Sequence, residues 1–173
     1  PETREAMAMI PPVSLAANAA ERESIFRFRY RVFAEHLARR DLDGADHAAK
    51  TLTDPLDAGS AHYYAGEQDR IVAALTVSPM GSSAVTPELS GFLDLPRLAE
   101  ATPLDTVIFA NWLLVDPSEA SSAVVTALIA AAVGQAVQDG TELVVTYCRP
   151  GLVNFYERLG FEQYRHATDL KGI

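Results

Sequence analysis

VIFANWLLV, residues 107–115, runs into DPSE, residues 116–119, and then into ASSAVVTALIAAAVGQAVQD, residues 120–139. The first piece has the length and apolar character of a buried strand. The last reads as a helix that is apolar on nearly every face, which belongs in a core or against a sheet. Asp116 suits the N-cap, Pro117 the first helical position, Glu119 the far end of a capping box, and Gly140 the C′ stop. A strand feeding straight into a helix aims free backbone N–H groups at the space above the turn, where an anion can bind. Ser121, Ser122 and Ala123 are small enough to let a ligand approach that backbone. The same pattern also suits an ordinary strand–turn–helix packing unit.

Upstream, residues 1–13 read as a loose arm ending at Pro11-Pro12. Leu15–Arg40 carries a helical pattern in which Ile25, Phe28, Val32, Phe33 and Leu37 form an apolar stripe. Asp41–Lys50 is polar and irregular, as a loop is. His62–Gly66 and Arg70–Val77 read as two strands of a hairpin, and Leu95–Glu100 as a short helix. Downstream, Glu142–Tyr147 is a second buried strand, Pro150–Arg158 a short helix stopped by Gly160, and Phe161–Leu170 a last strand. The early hairpin and the later alternation of strands and helices predict an α/β (α+β) fold, a mixed sheet with helices on both faces.

The chain has 173 residues, enough for one domain with a substantial core. Its net charge of −9, with no basic run, argues against gripping nucleic acid or an anionic membrane. One cysteine, Cys148, excludes an internal disulfide and a multi-cysteine zinc site, and suits a reducing, cytoplasmic setting. The scattered His and Asp residues show no metal-ligand spacing, so no metal is expected. No uninterrupted apolar run reaches the length of a membrane span. Pro1 in place of methionine implies a processed or excised chain.

Asn154-Phe155-Tyr156-Glu157-Arg158-Leu159-Gly160-Phe161 resembles the late signature of the GNAT superfamily of N-acyltransferases. There a helix carrying a tyrosine runs into Leu-Gly-Phe. Phe26–Phe33, then Asp54 and Asp57, then Tyr63-Tyr64 and the strand Ile71–Val77 fall in the order of one branch. That branch holds the acyl-homoserine-lactone (autoinducer) synthases and the N-acyl amino acid synthases, found in bacterial secondary metabolism. The resemblance covers roughly residues 22–170. It implies a GNAT-like, mostly antiparallel central sheet. It also implies transfer of an acyl group from acyl-CoA, or from the phosphopantetheine thioester of an acyl carrier protein, to a small-molecule amine such as that of an amino acid. The thioester is then a co-substrate, and no cofactor is held permanently.

The resemblance places the donor on the backbone of Leu113, Leu114 and Val115, on Ser121, Ser122 and Ala123, and on Asn154. It gives Tyr156 the protonation of the leaving thiolate, though an amphipathic core tyrosine fits the position equally, as capping of the short helix does for Asn154. A phenol of ordinary pKa near ~10 is a reasonable acid for that step. The branch's paired aspartates fall on Asp54 and Asp57, which an Asx-type turn around Pro55 also explains. Arg31, Phe33, Glu35, His62 and Trp112 lie where the acceptor pocket is expected. The catalytic base stays open among Glu35, His36, Asp54, Asp57 and His62. His62 and His166 equally suit packed positions, and Cys148 suits a small core residue better than an acyl carrier.

Three departures bear on substrate. The pyrophosphate loop of the superfamily is glycine-rich with an arginine. Here it reads DPSEASSA, residues 116–123, and its two carboxylates would repel a phosphate. Phe109 and Trp112 stand where autoinducer synthases carry Glu and Arg, and Leu52 where they carry a Glu. The last two changes weigh against homoserine-lactone chemistry, and the altered loop tilts the donor toward a carrier protein or an unusual donor. Arg27, Arg29, Arg31, Arg149 and Arg158 could supply the basic patch a carrier needs. A GNAT-like binding module without turnover is the alternative, and transfer from an aminoacyl-tRNA would need a basic groove that the composition disfavours.

Overall fold

The computed structural model describes residues 10–39, 41–119 and 121–165. In chain order it contains β1 (Val13–Leu15), α1 (Ala19–Tyr30) continuing as a π-helical turn (Arg31–His36), β2 (Ala45–Asp46) and β3 (Thr51–Leu52). Next come β4 (Ala61–Glu67), β5 (Arg70–Pro79), α2 (Pro87–Phe92), α3 (Leu95–Ala99) and β6 (Val107–Val115). Last are α4 (Ser122–Gln138), β7 (Leu143–Thr146) and α5 (Val153–Arg158). The central sheet has the order β1-β4-β5-β6-β7. Its pairings are antiparallel except β6 with β7, which is parallel. This is the mixed, mostly antiparallel sheet with helices on both faces that the element order predicts.

Strand alternation sorts the core onto two faces. Tyr63, Ala65, Ala73 and Leu75 meet Val124, Leu128 and Ala132 of α4. Tyr64, Ile71 and Ala74 meet Ile25 and Phe28 of α1 and Val32 of the π-helical turn. A third cluster joins Leu56, Met80, Leu93 and Leu95 to Val107, Phe109 and Val145. Burying a side chain such as Leu128 stabilises by about 1.5–3 kcal/mol, so α4 is held by packing rather than by propensity.

The first helix is shorter than the expected span Leu15–Arg40. Val13–Leu15 pairs with Ala65–Tyr63, and Pro12 accepts the N–H of Gly66, so the expected arm is tied to the sheet from there. Asn18 starts α1 by accepting the N–H of Glu21, whose carboxylate bonds back to the N–H of Ala17. A three-residue strand is too short to leave a period of its own in the sequence. The expected loop 41–50 contains β2, and Gly44 is required there. Its φ is +80°, and a Cβ would meet the carbonyl oxygen of Thr53 at 2.0 Å.

α4 begins later than the capping pattern predicts. Ser121, not Asp116, is the N-cap, its hydroxyl accepting the N–H of Ala123. Asp116 instead closes its own turn by accepting from the N–H and the hydroxyl of Ser118. The far end is as expected. Gly140 has φ +78°, and Thr141 and Gly140 donate to Ala136 and Val137 as in a Schellman motif.

The last strand is not found over its described part. Phe161–Tyr164 is irregular, and Arg165 donates to the carbonyls of Gly91 and Phe92 at the end of α2, while Tyr164 donates to Leu93. His166 and the rest of that expected strand lie outside the described residues. Among the described residues no helix is long and apolar enough to cross a membrane.

Candidate active site

The sheet opens at one point. β6 pairs with β7 only from Val107 to Ala110, whose partner is Thr146, while β6 itself continues to Val115. The β7-side backbone of Asn111–Val115 therefore has no sheet partner among the described residues. At the same place β6 bulges against β5. Thr76 faces Asn111 and Ala74 faces Leu114, so Leu75 alone opposes Trp112 and Leu113. Trp112 takes φ +52°, a left-handed conformation that costs a bulky residue about 1–3 kcal/mol. The extra residue sends neighbouring side chains to opposite faces. Leu113 stays with Ile108 and Ala110 on the α4 side, while Trp112 goes to the α1 side.

On the α4 side the splay borders a shallow apolar recess, lined among others by Leu75, Ala110, Leu113, Ile129, Thr146 and Tyr156. Burial and, secondarily, Cys148 push the phenol of Tyr156 up, against a smaller opposing pull from Thr146. Tyr156 therefore stays protonated at neutral pH. Burial likewise pushes the Cys148 thiol up, so it is not the thiolate a nucleophile requires. Asn154 is exposed on α5, which has no side-chain cap.

On the α1 side, Trp112 meets Phe33 edge to face at 5.5 Å and lies 4.7 Å from the guanidinium of Arg29. Arg29 is fully buried. It donates to both oxygens of Asp57, at 2.8 and 2.9 Å, and to Thr76 Oγ1 at 2.6 Å. Asp57 Oδ2 also accepts the N–H of Asp54. Asp54 Oδ1 accepts from Leu56, so the Asx-type turn at Pro55 is present. His62 Nε2 lies 3.1 Å from the carbonyl of Asp57 and donates to it, which leaves Nδ1 to accept from Thr76 at 3.0 Å. Burial holds this imidazole below its ordinary pKa, so it is neutral and enclosed.

The remaining expected acceptor residues are dispersed. Arg31 ties α1 to the sheet through the carbonyl of Ile71 and reaches Asp116 at 3.3 Å. Glu35 pairs with Lys50 and lines a separate, open groove with Tyr30, Ala34, Ala38 and His47. His36 is exposed.

In the turn before α4, each carboxylate has an arginine. Asp116 faces Arg31, and Glu119 pairs with Arg70 at 2.8 Å. The bonds from Ser118, followed by the charges of Arg31 and His36, hold the Asp116 carboxyl below its ordinary range despite partial burial. Ser122 and Ala123 are exposed in the first turn of α4, while Ala120 lies outside the described residues.

Arg29 was expected in a basic surface patch, but it is fully buried against Asp57 and cannot serve there; Thr76, Asn111 and Arg70 were not expected as site residues. Arg29 carried a signal. It falls between Ile25 and Val32 on the apolar stripe, where an unpaired charge cannot stay. Thr76 and Asn111 are polar residues at inward positions of strands. Arg70 gave no local signal, because its approach to Glu119 depends on the hairpin lying beside the turn.

A mixed sheet splayed beside a bulge, with a helix N-terminus beyond it, defines a GNAT-type acyltransferase fold. Residues 24–172 match the family described as N-acyl amino acid synthase FeeM, and the chain belongs to that family. Among solved structures it is similar to the CoA-dependent acyl-homoserine lactone synthase BjaI with SAM and isopentyl-CoA. Identity there is 17% and the TM-score 0.64, over 82% of this chain and 65% of that one. The chain thus spans under two thirds of that relative's length. It is also similar to a putative N-acetyltransferase from Lactobacillus plantarum, with 16% identity and a TM-score of 0.65 over 94% and 92% of the two chains. A third is the CoA-dependent acyl-homoserine lactone synthase MesI, with 21% identity and a TM-score of 0.59 over 86% and 76%. No curated protein matches the sequence.

Proposed function

We propose that residues 1–173 form one acyltransferase domain that moves an acyl group from a thioester to the amine of a small molecule, an amino acid first of all. The observation that carries this is the splay at Asn111, which has an apolar recess on one face and a charged, aromatic cluster on the other. The acyl chain and pantetheine lie on the α4 side and the amine arrives from the α1 side. Unpaired backbone of Leu113–Val115 orients the donor and its carbonyl, with Asn154 along the pantetheine.

The amine nitrogen attacks the carbonyl carbon and the C–S bond breaks. Asp54 takes the proton that the amine gives up, and Tyr156 supplies one to the departing sulfur. Asp57, with both oxygens engaged, holds Arg29 and the Asp54 turn in place. The backbone of Ser121–Ala123 receives the donor's phosphate. Arg31 and Arg70 are engaged by Asp116 and Glu119 rather than free for the donor, so that end suits a lone phosphate on a carrier better than a pyrophosphate. The thioester substrate and the single cysteine suit the cytoplasm.

The test is to mix the protein with acyl-CoAs and acyl-carrier thioesters and a panel of L-amino acids. Free thiol release is followed, and the products are weighed by mass spectrometry. An N-acyl amino acid formed with stoichiometric thiol is expected. No thiol release from any donor would replace the enzyme with a binding module.

A further inference from the structure

Asn111 is 7% exposed, and its Oδ1 has no hydrogen-bond partner among the described residues. Folded proteins seldom leave a buried amide oxygen unpaired, and each such atom calls for an explanation. Its location supplies one. Asn111 is the first residue of β6 beyond the last pair with β7 and stands directly opposite Thr76. Thr76 is bonded to Arg29, whose Nε is also buried without a partner. The next residue, Trp112, carries the left-handed backbone of the bulge. An orphan acceptor, an orphan cationic donor and a strained backbone thus gather at one edge of the splay. All lie on the α1 side, opposite the face that Tyr156 lines.

We infer that Asn111 Oδ1 holds the acceptor's amine, an assignment that rests on the acyl-transfer reading above. It accepts one N–H of the amine and leaves the nitrogen lone pair aimed through the splay at the thioester carbonyl. A neutral amide suits this task better than a carboxylate. A carboxylate would favour the ammonium form, which has no lone pair to attack with. Asn111 takes no proton itself. The N–C bond forms, the C–S bond breaks, one amine proton leaves, and the thiolate gains one.

Asn111→Leu tests this, because it keeps the shape and removes the orphan atom. Removing an unpaired buried polar atom does not destabilise a fold. The melting temperature is expected to hold or rise by about 2–4 °C. The amine KM is expected to rise about tenfold, the worth of one good hydrogen bond, while the acyl-CoA KM stays within about twofold. Asn111→Asp is expected to bind amine but to move the activity profile toward alkaline pH, since the new charge stabilises the ammonium. A lower melting temperature for the leucine variant, or an unchanged amine KM, overturns the assignment. If the unmutated protein turns over no thioester, calorimetry with the same amino acids decides. Binding lost only in Asn111→Leu keeps Asn111 as an amine anchor in a non-catalytic domain. Equal binding in both proteins, or none in either, overturns it.

Discussion

Arg29 and Asp57 meet through two parallel hydrogen bonds, Nη1 to Oδ2 at 2.8 Å and Nη2 to Oδ1 at 2.9 Å, inside the core between α1 and β5. The guanidinium also lies against Phe26 and Trp112, so one ion pair fixes the helix, the Asp54–Asp57 turn and the bulge together. Breaking one partner leaves an uncompensated buried charge. Asp57→Asn is expected to cost about 3–5 kcal/mol, measured by urea unfolding. The double variant Arg29→Met/Asp57→Leu is expected to recover much of that stability, yet to remain inactive because Trp112 loses its support. A single variant that unfolds at the same urea concentration as the parent would show that Arg29 is not left as an uncompensated buried charge.

Glu119 holds Arg70 at 2.8 Å beside the N-terminus of α4, where a donor phosphate is proposed to sit. The pair is exposed, so its worth is small and screened by salt. Glu119→Gln is expected to free the arginine and tighten CoA binding about two- to fivefold at low salt. The gain is expected to vanish at high salt. Arg70→Ala should weaken binding by a similar factor. Calorimetry at two salt concentrations reads both; equal affinities at low salt would remove this end of α4 from the donor path.

Burial of His62 gives the protein a pH dependence of definite sign. Its folded pKa lies below the ordinary histidine value, so between the two values only the unfolded chain binds the proton. Stability is therefore complete above the unfolded pKa and falls as the pH drops below about 6.5, by at most about 1.4 kcal/mol per pH unit. His62→Gln, which can keep the bond to the Asp57 carbonyl, is expected to flatten this decline over pH 7.5 to 5.5 in denaturant titrations. A decline equally steep in the variant would assign it to other groups.

The fold was legible where long periods exist. The strand at Val107, the helix ending at Gly140 and the hairpin around Gln68 each carry their own pattern, and the parallel β6–β7 pairing follows from the helix between them. What escaped was set by contact rather than by period. Val13–Leu15 becomes a strand only because β4 offers an edge. Phe161–Tyr164 has the look of a strand, but the segment is held by carbonyls at the end of α2. At the site, the family signature pointed to Tyr156, Asp54 and Asp57. Asn111 escaped because what marks it is an unpaired atom, which no one-dimensional pattern records.

Tyr156 offers the sharpest chemical test. It borders the apolar recess with Ala110 and Thr146, the last β6–β7 pair before the splay, and burial keeps its phenol protonated through the neutral range. If it gives the proton that lets the thiolate leave, Tyr156→Phe is expected to lower kcat about 10²-fold, within the usual range for a general acid. Donor KM should hardly change, since only a hydroxyl is lost and the ring still packs against Phe155 and Phe161. The defect should depend on the leaving group. An acyl thioester of an aromatic thiol, whose thiolate departs without a proton, should react with the variant and the parent at nearly equal rates. An equal loss for both donors would mean that the hydroxyl positions the acyl group and does not protonate sulfur. A kcat within about threefold of the parent with acyl-CoA, below what general acids contribute, would leave Tyr156 as a packing residue and the thiolate's proton to water.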